Sequence, residues 1–229
     1  MVRAVTFDMD GTLHRLQPFP PQRRFAEVCA LAGIPLSEAQ ALAAVRARKR
    51  QWEAGRRAAA RGVRGGAGAW LREYGRAGLR AAGVRGNLDR IAAEVEAAAR
   101  RFPSDSALDP GARDVLAALR ARGIRLGVIT NRTGDVPREL RDYGIADHFD
   151  CIMYPEVAGT TKSDPAMFWA AYAELGIRPQ ECLHVGDSPV DDVDGARAVG
   201  ANPVLYDPLE CLECDCPTIS RLRDLLDLL

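Results

Sequence analysis

The sequence predicts an α/β protein with a parallel sheet, helices on both faces of that sheet, and a helical domain inserted after the first strand. Two features predict the sheet: short apolar runs recur along the chain, and most are followed by a segment with helical periodicity. The third feature is a long stretch of helix-forming composition between the first apolar run and the others.

The apolar runs are interpreted as buried strands because they are short, apolar and flanked by turn-forming residues. They occupy residues 4–7, 126–129, 151–153, 182–185 and 203–206. Strands that alternate with helices are typical of a parallel sheet. We therefore expect a Rossmann-like core.

Three helices are predicted from the same pattern, which is a capping residue and a proline at the start and a glycine after the end. Their starts are Asp109-Pro110, Asp164-Pro165 and Ser188-Pro189, and their glycines are Gly123, Gly176 and Gly200. A shorter helix is expected between residues 135 and 143, before Gly144. Residues 218–229 carry apolar side chains at helical spacing and predict a terminal amphipathic helix.

The predicted domains are a core of residues 1–13 and 109–229 and a helical cap of residues 14–108. Within the cap, residues 20–54 and 88–102 have helix-forming composition. The segment between them is rich in glycine and arginine, and its apolar residues suggest at least one further short helix. The glycines at 62, 65, 66 and 68 indicate a mobile loop rather than a phosphate cradle, because no strand leads into them.

The formal net charge is zero, but the charge is unevenly distributed. Residues 14–109 contain 17 arginines and one lysine against nine acidic residues, a net charge of +9, so the remainder carries −9. Three interpretations stay open: a solvated helical surface, attraction of an anionic substrate, and nucleic-acid binding. Because no recognition motif supports the third, we expect no nucleic acid as partner. The oligomeric state is unknown from the sequence.

No apolar run approaches the roughly 18 residues that span a bilayer, and the N-terminal segment lacks a secretion signal. We therefore expect no membrane partner, a cytoplasmic location and six reduced cysteines. Cys211, Cys214 and Cys216 lie close together. With a fourth ligand they could hold zinc, and a redox role is also open, but their C-x-x-C-x-C spacing matches no strong zinc pattern. Free thiols are the favoured interpretation.

Polar residues follow three of the predicted strands, at the point where each strand ends. Asp8 and Asp10 follow the first strand, Thr130 and Asn131 follow the second, and Asp187 follows the fourth. Ligands of an open parallel sheet bind at the carboxyl ends of its strands. We therefore expect these side chains to converge at one edge of the sheet.

Acidic residues are concentrated in two of these segments, at Asp8 and Asp10 and again from Asp187 to Asp192. Like charges packed together need a cation, and paired carboxylates suit Mg²⁺, a hard ion that prefers oxygen ligands. Lys162 is one of only two lysines among 31 basic residues. Its compact ammonium group would neutralise a phosphoryl oxygen or the nucleophile.

Four ordered motifs together resemble those of the haloacid dehalogenase superfamily. They are Asp8-Met9-Asp10-Gly11-Thr12-Leu13, Thr130-Asn131, Lys162-Ser163-Asp164-Pro165, and Gly186-Asp187 with Asp192, Gly195 and Ala196. The match spans residue 4 to about residue 206, and the long insert after the first motif resembles that superfamily's first cap class. Ser163 stands where proline is common and Asp191 where asparagine is common, and neither change touches a primary catalytic role.

The resemblance implies a role for each matching residue. Asp8 would attack phosphorus and form an aspartyl-phosphate, while Asp10 would protonate the leaving oxygen and later deprotonate water. The residues implied to hold the phosphoryl group are Gly11, Thr12, Thr130, Asn131 and Lys162. Those implied to hold Mg²⁺ are Asp8, the backbone carbonyl of Asp10, Asp187, and Asp192 as a ligand or as a partner of the ligands.

Asp10 also distinguishes among the activities of the superfamily, because its carbon–halogen hydrolases lack this second aspartate. We therefore predict a Mg²⁺-dependent phosphatase that acts on a small phosphorylated metabolite. A sugar phosphomutase with the same residues is the alternative, and a non-catalytic binding protein on this fold is a further one. His14 is interpreted as a linker or cap contact rather than a catalytic residue, and His184 as structural.

Overall fold

The computed structural model describes residues 1–17, 20–62, 67–103 and 105–229, with the backbone alone for residues 67–69. The chain forms two compact units. The first consists of Met1–Arg15, Ala107–Pro208 and Glu213–Leu229, and the second of Leu16–Ser106 and Leu209–Leu212. The helical part of the chain thus includes a short segment from the C-terminal region, which the sequence does not assign to it.

A six-stranded sheet forms the centre of the first unit. Its strands are β1 (Ala4–Phe7), β4 (Arg125–Ile129), β5 (Cys151–Met153), β6 (Cys182–Gly186), β7 (Asn202–Tyr206) and β8 (Thr218–Ile219), in the spatial order β5-β4-β1-β6-β7-β8. All neighbouring pairs are parallel. The predicted α/β fold and its five strands are confirmed. Because Phe7 pairs with both Val128 and Val185, the three central strands end at the same level.

Helices cover both faces of this sheet, as predicted. They are α5 (Ala112–Ala121), α6 (Val136–Asp142), α7 (Pro155–Ala158), α8 (Ala166–Glu174) and α9 (Gly195–Ala198). Successive side chains of a strand point to opposite faces. Val5 and Phe7 therefore join the core cluster under α5 and α6, and Ala4 joins the cluster under α8 and α9.

Two predicted helices take a different form. The segment after Ser188 begins as a π-helix, Pro189–Asp194, because the Ser188 carbonyl accepts hydrogen bonds from the amides of both Asp192 (3.0 Å) and Val193 (3.2 Å). Residues 218–229 are not one amphipathic helix. Thr218–Ile219 pairs with β7 as β8, and a 3₁₀-helix follows over Leu222–Leu228, because strand pairing takes the first turn of the expected helix.

The second unit is helical, as predicted. Its helices are α1 (Pro21–Leu31), α2 (Glu38–Ala60), α3 (Ala67–Ala81) and α4 (Leu88–Arg101), and their apolar faces form one core cluster. The predicted helical stretch 20–54 is interrupted because Ser37 caps a new helix: its hydroxyl accepts a hydrogen bond from the Gln40 amide (3.3 Å). Two short strands, β2 (His14–Leu16) and β3 (Ser106–Leu108), pair where the chain leaves and re-enters the first unit.

Only part of the predicted glycine-rich loop lies within the described residues. Gly62 follows α2 in a left-handed conformation (φ +74°). The prediction is wrong for Gly68, which lies within α3. Gly65 and Gly66 lie outside the described residues.

The expectation of six reduced cysteines is wrong for Cys214 and Cys216, which form a disulfide. A single intervening residue leaves their Cα atoms 5.3 Å apart, within the range that a disulfide bridges. The other cysteines are Cys29, Cys151, Cys182 and Cys211. Within the described ranges no metal-binding cluster includes a cysteine. None of the helices in those ranges is both long and apolar enough to cross a membrane.

Candidate active site

Asp8 lies directly beyond the end of β1, and its backbone N–H donates to the Val185 carbonyl of β6 (2.8 Å). The chain then turns sharply, since the His14 amide donates to the Met9 carbonyl (2.8 Å). Gly11 is required in this turn for two reasons. Its φ of +88° favours glycine, and a Cβ at this position would lie 2.4 Å from Oδ2 of Asp187. The turn thus brings the β1 and β6 ends of the site together.

Lys162 lies at the centre of the site. Its Nζ donates to Oδ1 of Asp8 (2.5 Å) and to Oδ1 of Asp192 (2.6 Å), and the residue is only 3% exposed. Burial disfavours the charged ammonium, but the two carboxylates outweigh this cost and raise the pKa of Lys162. The lysine is therefore a permanent cation between two aspartates from different strand ends.

The buried carboxylate of Asp192 has partners at both of its oxygen atoms. Its Oδ1 also lies 3.2 Å from Nε2 of His184, and its Oδ2 accepts from the Ser188 amide (2.9 Å). Burial opposes ionisation of this carboxyl, yet Lys162 and His184 outweigh the burial and lower the pKa of Asp192. Gly186 leaves room for this side chain, because a Cβ there would lie 2.1 Å from its Cγ.

Three carboxylates meet at this edge of the sheet. Asp8, Asp187 and Asp192 each offer an oxygen atom within 4.8 Å of the other two. Burial raises the pKa of Asp8 well above its usual range, and the charges of Asp192 and Asp187 add to this effect while Lys162 opposes it. The negative charge of the cluster thus exceeds what one lysine compensates.

Thr130 and Asn131 extend from the end of β4. Oδ1 of Asn131 accepts from the Lys162 amide (2.8 Å), and its Nδ2 donates to Oδ2 of Asp191 (3.1 Å). Asn131 therefore connects the Lys162 and Asp191 loops. Asp191, which stands where asparagine is common in the superfamily, thus has Asn131 as its partner. The buried hydroxyl of Thr130 accepts from the Arg132 amide (3.1 Å).

The side chain of Asp10 lies outside the cluster of three carboxylates, and 49% of it is exposed. Its Oδ1 lies 2.9 Å from Nδ1 of His14 and accepts from Nη1 of Arg132 at 2.8 Å. Nε of Arg132 donates to Glu139 (2.7 Å). Burial tends to raise the pKa of Asp10, but the hydrogen bond from His14 and the charge of Arg132 outweigh it, so that the pKa is lowered.

A sequence profile of the haloacid dehalogenase-like hydrolase family matches residues 2–200, nearly the whole chain. The chain belongs to this family. A ribulose-1,5-bisphosphate 5-phosphatase from Halopiger xanaduensis is 31% identical over 92% of the chain and 87% of that protein. A phosphoserine phosphatase from Thermus thermophilus is 39% identical, over 47% of the chain and 42% of that protein. The chain spans about half the length of the first curated relatives it matches.

Solved structures of the haloacid dehalogenase-like family share the fold. The phosphatase from Thermococcus onnurineus superposes with a TM-score of 0.60 over 99% of this chain and 97% of its own, at 23% identity. At this identity the likeness concerns the fold alone. It agrees with the six-stranded parallel sheet and its surrounding helices.

Sequence reasoning missed three members of this haloacid dehalogenase-like site. One is His14, which is interpreted from the sequence as a linker or cap contact and lies 2.9 Å from Oδ1 of Asp10. Arg132 directly follows Thr130-Asn131, but one arginine in an arginine-rich chain carries no signal of its own. His184 is indeed buried within β6, as expected for a structural residue, yet it contacts Asp192. The structure also pairs Thr6 with His184 across β1 and β6, where they share a 2.9 Å hydrogen bond.

Proposed function

We propose that this protein is a Mg²⁺-dependent phosphomonoester hydrolase that uses Asp8 as its nucleophile. One observation carries the proposal: the buried Lys162 ammonium contacts Asp8 within an acidic cluster that suits a divalent cation. Membership of the haloacid dehalogenase-like hydrolases supports it. The phosphatase names of two relatives support the choice of a phosphate ester as substrate.

The residues present fit a magnesium ion. Asp8 and Asp187 offer hard oxygen ligands. The pKa of Asp8 is raised by burial first and then by the charges of Asp192 and Asp187, which a divalent cation would compensate. Both oxygens of Asp192 already accept hydrogen bonds. We therefore assign the ion to Asp8, Asp187 and the Asp10 carbonyl, and assign Asp192 to the anchoring of Lys162. When bound, Mg²⁺ would neutralise charge on the transferring phosphoryl group.

The protein residues then perform two displacements. In the first, a carboxylate oxygen of Asp8 bonds to phosphorus while the bond from phosphorus to the leaving oxygen breaks, and Asp10 protonates that oxygen. In the second, Asp10 removes a proton from water as the water oxygen attacks phosphorus and the bond to Asp8 breaks. Inorganic phosphate leaves, and both carboxyl groups return to their starting state.

The phosphoryl oxygens need donors that are already in place. Lys162 supplies a charged donor, and we assign the Thr130 hydroxyl and the backbone of the Gly11–Thr12 turn to the same role. Asn131 connects two loops through both ends of its amide. Its role in phosphate binding is thus to hold Lys162 in place.

The substrate class follows from charge and from the relatives. Residues 14–109 carry a net charge of +9, which favours an anionic substrate. Phosphoserine and ribulose 1,5-bisphosphate, named for two relatives, are both small phosphorylated metabolites. We propose a substrate of this kind, with the helical unit as a cap that selects it.

The test is phosphate release from p-nitrophenyl phosphate, with Mg²⁺ and with a chelator. We expect Mg²⁺-dependent release that falls by at least about 10³-fold in Asp8→Asn, because loss of a nucleophile removes the covalent route. Asp142→Asn is the matched control, since this exposed carboxylate lies on α6 outside the site. Equal release by wild type and Asp8→Asn would contradict the proposal. Isomerisation of a sugar phosphate without phosphate release would identify a phosphomutase instead.

A further inference from the structure

Two donors from different parts of the first unit converge on a single oxygen of Asp10. His14 stands at the start of β2, and Arg132 lies in the loop after β4, 122 residues away from Asp10. Their nitrogen atoms lie 2.9 Å and 2.8 Å from Oδ1. Oδ2 of Asp10 makes no hydrogen bond with any residue that the structure describes. The two oxygens of this carboxyl are therefore not equivalent.

Both donors are themselves held in place. Nε of Arg132 donates to Oε2 of Glu139 (2.7 Å), and its backbone amide donates to the Thr130 hydroxyl (3.1 Å). The His14 side chain is 8% exposed and packs against the Tyr143 ring, with 5.7 Å between the centroids. Side chains fixed in this way act as rigid donors, because they lose little further conformational freedom when they hold the Asp10 carboxyl group.

The tautomer of His14 agrees with this role. Its Nε2 is buried and has no hydrogen-bond partner in the described part of the chain. A proton on Nε2 would therefore lack an acceptor, whereas a proton on Nδ1 faces the Asp10 carboxylate. His14 thus donates from Nδ1 to Oδ1.

Resting on the proposed function, we infer that His14 and Arg132 are positioning residues that hold Oδ1 of Asp10 and leave Oδ2 as the atom that transfers the proton. The step starts from the protonated carboxyl group of Asp10, which the two donors make a stronger acid and a smaller fraction of the free protein. Oδ2 of this form gives its proton to the leaving oxygen as the bond from phosphorus to that oxygen breaks. The electron pair left on Asp10 is then stabilised by the two donors on Oδ1. In the second displacement Oδ2 takes a proton back from the attacking water. We call His14, Arg132 and Oδ1 of Asp10 the Oδ1 clamp.

The first test compares two aryl phosphates of similar shape. The phenolate ion is a much stronger base than the p-nitrophenolate ion. Hydrolysis of phenyl phosphate therefore depends more on protonation of the leaving oxygen. We expect His14→Phe and Arg132→Met to lower kcat/KM for phenyl phosphate at least about tenfold more than for p-nitrophenyl phosphate. The value of kcat/KM reports the steps up to loss of the phenol, and KM should change little.

Conservative variants and a control separate positioning from general damage. His14→Asn and Arg132→Lys keep a donor and should recover part of the lost activity on phenyl phosphate. Arg138→Met removes an exposed arginine of α6 outside the site and should leave both substrates unaffected. An equal loss on both substrates, or no loss on either, would overturn the inference.

Crystal structures provide a test that does not depend on turnover. In the wild type we expect Oδ1 of Asp10 to accept from both His14 and Arg132, and in His14→Phe or Arg132→Met we expect the carboxyl group to rotate or shift. An unchanged carboxyl position in both variants would overturn the inference. Absence of phosphatase activity in the wild type would contradict the proposed function alone, because the structures would still reveal whether the Oδ1 clamp positions Asp10.

Discussion

At the scale of single residues, the site contains two buried aspartates whose pKa values shift in opposite directions. Burial raises the pKa of Asp8, with Asp192 and Asp187 adding to it, whereas Lys162 and His184 outweigh burial at Asp192 and lower its pKa. Both carboxylates contact the same ammonium group. The difference arises because Asp192 has two additional partners, His184 and the Ser188 amide. The charges of its neighbours thus remain uncompensated at Asp8, where we propose that the metal ion binds.

Asp8→Asn is expected to stabilise the metal-free protein at neutral pH, by about 0.5–2 kcal/mol. Because the folded pKa of Asp8 lies above its ordinary value near 3.9, the native state binds more protons than the unfolded state just above that pH. The wild type therefore loses stability as the pH rises through this range, and the asparagine variant does not. Urea unfolding with a chelator should show a larger gain at pH 8 than at pH 4, which lies just above the ordinary pKa of an aspartate.

The same series includes Asp142→Asn, which removes an exposed carboxylate and should leave the urea midpoint unchanged at both pH values. A lower stability of Asp8→Asn than of the wild type at pH 8 would show that the ion pair with Lys162 outweighs burial and repulsion at Asp8.

At the scale of elements, the segment from the end of β6 to α9 forms most of the wall around Asp192. Gly186 makes room for the Asp192 carboxylate, and the π-helix Pro189–Asp194 presents that carboxylate to Lys162. Gly195 allows the next turn to approach Phe168, whose ring would lie 2.6 Å from a Cβ at this position. Wide turns of this type often mark functional sites. The departure from the predicted regular helix thus serves the site.

The segment between β7 and β8 carries the disulfide Cys214–Cys216, and this pairing sets the number of reactive thiols. Protein purified without reductant and then denatured should show four thiols, and six after reduction. Cys214→Ser should show five without reductant, because Cys216 loses its partner. Six thiols in the unreduced wild type would mean that the disulfide is absent from the purified protein.

At the scale of the whole molecule, the chain passes between the two units more than once. Residues Leu16–Ser106 form most of the helical unit, and Leu209–Leu212 also belongs to it. Within that unit Nε of Arg46 donates to the Leu209 carbonyl (2.7 Å), and Leu209 packs against the helical core. All residues that we assign to Mg²⁺ and to proton transfer belong to the first unit.

Magnesium binding is expected to protect the first unit selectively against hydrogen exchange. A ligand that binds only the folded state stabilises it by about 2.7 kcal/mol at a concentration of 100 times Kd. Exchange should slow at the ends of β1 and β6 and in residues 187–192, and not in α2, α3 or α4. Asp187→Ala should abolish the effect, because it removes one proposed ligand. Protection confined to the helical unit would contradict this placement of the ion.

The amino-acid sequence by itself determined the parallel sheet, the helical insertion and the residues that come together at the sheet edge. Those features follow from local periodicity, from capping residues and from the rule that parallel strands end at a common edge. Secondary structure predicted from these short-range patterns is wrong where longer-range contacts compete with them. Residues 218–219 have helical spacing, but the free edge of β7 pairs with them as a strand.

Only the tertiary structure decided which partner each charged group acquires. The contact of Arg132 with Asp10 joins residues 122 positions apart, and the contact of Lys162 with Asp8 joins residues 154 apart. Sequence spacing does not encode such pairs, because they depend on how the loops after β1, β4 and β6 are packed against one another. The same packing leaves one oxygen of Asp10 without a donor among the described residues, and a motif that names the aspartate cannot specify that oxygen.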